Sequence, residues 1–114
     1  MDDSANSDPL HYFESPRRLA DLVAYQAGSI VSRQIVKAGS GSVTLFAFGA
    51  GEGLSEHTTP FDALVQVLDG KAQVTVGGKR SAVAKGEVML MPANIPHAVE
   101  AEQQFKMLLV MVKQ

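Results

Sequence analysis

The stretches GEGLSEHTTPFDALVQVLDG, residues 51–70, and GEVMLMPANIPHAVEA, residues 86–101, decide how this chain folds. Each carries short apolar runs closed by turn residues, the pattern of strands joined by tight connections. In the first, Ala63 to Leu68 is an apolar run ended by the Asp69-Gly70 turn. In the second, Glu87 to Met91 and Ala98 to Ala101 flank a loop with two prolines. The 15 residues between the stretches, Lys71 to Lys85, hold two more strands, Ala72 to Val76 and Ser81 to Ala84. Gly77-Gly78 lies between these two and supplies the positive φ angles of a tight hairpin.

The same rhythm continues outward. Ser29 to Val36, Ser42 to Phe48 and Phe105 to Val112 read as strands, with Lys37 to Gly41 as a loop. Alternation puts Val43, Leu45 and Ala47 on one face and Thr44, Phe46 and Phe48 on the other, so the strand expects cover on both sides. The total is about nine strands spaced roughly 8–12 residues apart, the spacing of a sandwich or closed barrel. No helices separate the strands, which disfavours a parallel α/β fold. Before the first strand, Ser15-Pro16 offers an N-cap and a first-turn proline. Leu19, Leu22, Val23 and Gln26 follow at helical spacing and Gly28 supplies a stop, which predicts one short N-terminal helix. Residues 1–14 read as a polar tail and residues 15–114 as one barrel domain.

The two quoted stretches resemble the paired motifs of the cupin superfamily. The first family motif is a glycine, five residues, His-x-His, three or four residues, Glu, six residues and Gly. Here Gly51, His57 and Gly70 fill their places. The second motif is a glycine, five residues, Pro-x-Gly, two residues, His, three residues and Asn. Gly86, Pro92 and His97 match it. The resemblance implies an all-β double-stranded β-helix, a jelly-roll barrel of six to nine strands, with the predicted helix outside. In metal-binding cupins three histidines and a glutamate converge on one divalent ion inside the barrel. In this chain Thr59 and Ala63 stand at the second histidine and glutamate places, so the resemblance leaves only His57 and His97. Asn94 takes the second motif's glycine place, a mild change because Asn tolerates positive φ, and Ala101 takes the final Asn place.

Two imidazoles alone bind a divalent ion weakly, because sites of useful affinity draw three or four ligands from the protein. Thr59 is neutral and hard to deprotonate. Glu52, Glu56 and Asp62 are nearby carboxylates, but strand alternation turns Glu56 and Asp62 away from the interior unless a bulge intervenes. Gln66 could lend an amide oxygen given such a bulge, and Gln103 shares the parity of His97. The expected ligand-binding set is therefore His57, Thr59, Gln66 and His97, with His57 and His97 as the candidate ligands of one divalent transition metal (Mn, Fe, Ni or Zn). The leading expectation is a small organic ligand held in the barrel with or without that metal. The alternatives are a metal-dependent enzyme, dioxygenase-like or isomerase-like, acting on a small acid or sugar, and a non-catalytic interaction domain. Met89, Met91, Met107 and Met111 read as adaptable core filling.

Composition narrows the partners. The net charge of -2 leaves no basic surplus for a phosphate backbone, which argues against nucleic acid. The absence of cysteine excludes disulfides and thiolate ligands and fits a reducing cytoplasm. No apolar run approaches the ~20 residues that span a bilayer, and the acidic N-terminus lacks a signal peptide's layout. Leu10, Tyr12, Phe13 and the run Ser29 to Val36 carry apolar surface beyond one barrel's need, which predicts a two-fold homodimer.

Overall fold

The structure, a computed structural model, describes residues 14–113. Most of the expected tail and the apolar cluster at Leu10, Tyr12 and Phe13 lie outside the described residues. Nine strands follow in order: β1 Ile30–Ala38, β2 Gly41–Phe48, β3 Gly53–His57, β4 Phe61–Asp69, β5 Lys71–Val76, β6 Lys79–Ala84, β7 Val88–Met91, β8 His97–Glu100 and β9 Phe105–Lys113. They form two antiparallel sheets, ordered β1-β2-β9-β4-β7 and β3-β8-β5-β6. These are the nine strands that the rhythm predicts, in the jelly-roll barrel that the resemblance implies.

Period-2 alternation builds the core between the sheets. Ala63, Val65 and Val67 of β4 alternate inward, facing Ala72 and Val74 of β5 and Val99 of β8 in one buried cluster. Phe48 and Phe105, register partners on β2 and β9, stack with centroids 4.6 Å apart and rings nearly parallel. The other face of β2 and β9 is also apolar. Leu45 and Ala47 bury there in a second cluster with Ile35, Leu22 and Val23. Both faces of β2 are thus covered, as its composition requires.

The predicted N-terminal helix reduces to one 3-10 turn, Leu19–Leu22. Its first residue is preceded by an extended Arg18 with no side-chain cap, and Val23 is already extended at φ -139°. A helix this short has little stability of its own, so packing decides the conformation. The segment lies as a strap across the outer face of the five-stranded sheet. Tyr25 donates a short hydrogen bond to the Asp69 carboxylate. Lys106 donates from Nζ to the Ala20 carbonyl at 2.6 Å and lies 4.9 Å over the Tyr25 ring. Gly28, at φ 71°, turns the chain into β1 and does not end a helix.

Two turn positions explain motif residues. Gly70 sits at φ 73°, and a β-carbon there would lie 2.5 Å from the Gln104 carbonyl oxygen, so only glycine fits. Asn94, in the second motif's glycine place, adopts φ 63°. Among the described residues no helix is long and apolar enough to cross a membrane.

Candidate functional site

His57 ends β3 and His97 begins β8, and the two are register partners. Their rings meet edge to face with centroids 4.4 Å apart. A bulge makes this possible. Leu54 pairs with Val99 and His57 pairs with His97, so β3 spends three residues where β8 spends two. In a regular strand residues three apart face opposite ways. The extra residue turns Leu54 and His57 to the same side, where both line one cavity with His97 and Val99.

Hydrogen bonding sets the state of both rings. His57 Nδ1 lies 2.7 Å from the Ser55 carbonyl oxygen, and His97 Nδ1 lies 3.2 Å from that of Ile95. A carbonyl only accepts, so each Nδ1 carries its proton, and in the neutral ring Nε2 keeps the free lone pair. His97 is buried at 3% exposure, whereas His57 is exposed at the mouth. The site therefore pairs one sheltered and one accessible nitrogen acceptor.

The rest of the cavity is apolar. It encloses about 50 Å³, and Ala63, Met91, Met107, Leu109 and Met111 complete its wall. A cavity of about 150 Å³ by comparable reckoning holds a benzene ring, so this one receives only a few heavy atoms at a time. Thr59 reaches the wall too, but its hydroxyl is engaged: it donates to the Phe61 carbonyl at 3.1 Å and accepts from the Phe61 amide at 3.2 Å. The mouth is tied by the backbone. The Asn94 amide donates to the Thr59 carbonyl at 2.7 Å, and the Ala93 amide donates to the Asp62 carboxylate at 2.8 Å.

The other expected residues go elsewhere. No bulge lies between Ala63 and Gln66 in β4, so Gln66 faces out with Leu68 and lines the groove beside the strap. It does not join the histidines. Gln103 lines a separate surface groove with Lys71 and Gln73. Glu56 lies in the bulge but points to the outer side, in a groove with Ser55 and Thr75. Among the described residues no three His, Cys, Asp or Glu side chains gather as a metal site. Met91, Met107 and Met111 line the cavity, where the sequence favours core filling over a ligand-shaped lining. Their parity with Ala63 across β4, β7 and β9, where Ala63 pairs with both Met91 and Met111, is the signal that locates them.

The Cupin domain model matches residues 44–113. A conserved protein of unknown function from Streptococcus pyogenes superposes with a TM-score of 0.86 at 35% identity, covering 89% of each chain. A cupin 2 conserved barrel domain protein from Leptotrichia buccalis is 52% identical with a TM-score of 0.81, over 82% of this chain and 46% of that one. An uncharacterized protein of Streptomyces coelicolor is 34% identical over 81 residues, 70% of this chain and 77% of that protein.

Proposed function

We propose, from the premise that this chain belongs to the Cupin domain family, that its barrel binds a small organic ligand whose polar head sits between His57 and His97. The cupin fold supports a general role in binding small molecules or metals. One observation carries the choice of ligand: two imidazoles with Nδ1 committed to carbonyls present two Nε2 acceptors at an apolar cavity. The complementary head group is a hydrogen-bond donor, such as a hydroxyl, an amine or a protonated acid, on a short apolar body. The size of the cavity favours a ligand, or an inserted ligand end, of few atoms over a whole sugar.

The donor set does not fit the divalent ion of the family's metal-binding members. Among the described residues the cavity offers two imidazole nitrogens and no carboxylate, the Thr59 hydroxyl is spent on Phe61, and Ala63 offers no charge to offset a dication. No reaction step is therefore assigned to such an ion.

The test is nuclear magnetic resonance on the tag-free protein with labelled histidine, titrated with propanol, propylamine and propionic acid. The expected result is a saturable change at the ring nitrogens of His57 and His97 with at least one of them, and none at the Gln66 amide. Ring signals unmoved by all three would overturn the reading.

A further inference from the structure

The wall of the cavity holds a second kind of donor. Met91, Met107 and Met111 contribute thioethers beside the two imidazole nitrogens, and no carboxylate joins them. Met91 and Met107 are almost wholly buried, at 3% and 0% exposure. Thioether sulfur is soft and uncharged, and soft thioethers select Cu(I) over hard or borderline dications. A neutral wall points the same way. The solvation lost by a buried ion grows with the square of its charge, so an apolar cavity without an anionic ligand tolerates a monovalent ion far better than a divalent one.

We propose that this cavity is a binding site for a soft monovalent d10 cation, Cu(I) or its redox-silent counterpart Ag(I), held by His57 Nε2, His97 Nε2 and the thioethers of Met91 and Met111. The register supports the grouping. Met91 and Met111 pair with Ala63 from either side, so their thioethers flank its small side chain on the inward face. His57 and His97 lie on neighbouring strands of the opposite sheet. The two sheets thus supply different donor types: imidazole from one and thioether from the other. Carbonyl contacts hold each Nδ1–H, the arrangement that orients a metal-ligating histidine through its other nitrogen.

The site shares its histidines with the organic-ligand reading, so the test separates the two through the methionines. Tag-free protein labelled at the methionine methyls is titrated with Ag(I). Met89 packs against the core but is not part of the cavity wall, which makes it an internal control. The expected result is a single saturable event that moves the Met91 and Met111 methyls and both histidine rings and leaves Met89 in place. Zn(II) and Mn(II) should bind at least about tenfold more weakly. Substituting Met91→Leu together with Met111→Leu nearly conserves volume. It should cut Ag(I) affinity at least about tenfold while leaving the histidine response to the organic probes intact. His57→Ala should lose both responses. Equal affinity for Zn(II) and Ag(I), unchanged Ag(I) affinity in the double leucine variant, or shifts confined to Met1 and Met89 would overturn the proposal. A melting curve for each variant verifies that it is folded.

Discussion

His57 and His97 face each other as a cross-strand pair because a bulge absorbs the extra residue that β3 carries between Leu54 and His57. The bulge at Ser55 and Glu56 also presents the Ser55 carbonyl that accepts from His57 Nδ1. One local irregularity therefore sets both the side on which the ring lies and the nitrogen that carries its proton.

Deleting Glu56 should regularise β3 and leave His57 facing His97, because the two inward residues Leu54 and His57 then stand two apart, on the same face of a regular strand. The expected outcome is a folded protein in which magnetisation transfer between the His57 and His97 rings is retained. Lost ring-to-ring transfer would show that the bulge does more than absorb one residue.

Ala63→Glu places a carboxylate against an apolar wall at a position only 2% exposed. Unpaired, it should cost about 3 kcal/mol or more, or hold its proton at neutral pH. Thr59→His removes the hydroxyl bridge to Phe61, a further loss of about 1 kcal/mol. The double variant should melt below the native protein and regain stability with Ni(II) or Mn(II), since it then offers three imidazoles and a carboxylate. Melting curves with and without the ions check this, and a variant indifferent to both would refute it.

How much of this was legible in the sequence depends on what sets each feature. The strands were legible, because alternation and turn glycines are local. So was the tolerance of Asn94 for positive φ, realised at 63°. The N-terminal helix was not, because Leu22 and Val23 answer to the sheet beneath them and not to helical propensity. Gln66 was misplaced because its inward position needed a bulge in β4, whereas the bulge beside the site lies in β3. The methionine donors were hidden because packing and ligation call for the same inward parity.

Val36, Val43, Val110, Leu64 and Leu90 are successive register partners across all five strands of the larger sheet. Val36, Leu64 and Leu90 are exposed at 44%, 40% and 53%, on the part of the outer face that the strap leaves bare. A row this even can pack on its own two-fold copy, so light scattering should return twice the monomer mass of 12.1 kDa. Leu64→Lys with Leu90→Lys should give a folded monomer. A native protein that stays at 12.1 kDa across micromolar concentrations would exclude the dimer.

Burial, and then the hydrogen bond to Asp69 and its charge, push the Tyr25 hydroxyl well above its ordinary value of 10.0. The folded protein therefore holds this proton more tightly than the unfolded chain does. The stability it contributes is complete below about pH 10 and is lost as pH rises beyond that, toward the raised folded value. The native melting temperature should fall across that range more steeply than that of Tyr25→Phe. Parallel curves would mean that the strap is held without this proton.

The backbone ties from Asn94 to Thr59 and from Ala93 to Asp62 also have a kinetic consequence. With both loops of the rim pinned, passage into the barrel does not wait on a slow loop rearrangement. The exposed His57 ring stands at that rim, and its contact with the Ser55 carbonyl at 2.7 Å fixes how far it narrows the opening. Occupants should therefore come and go at rates set by their own contacts with the wall. Anything too wide to pass that imidazole stays outside, however well it matches the interior.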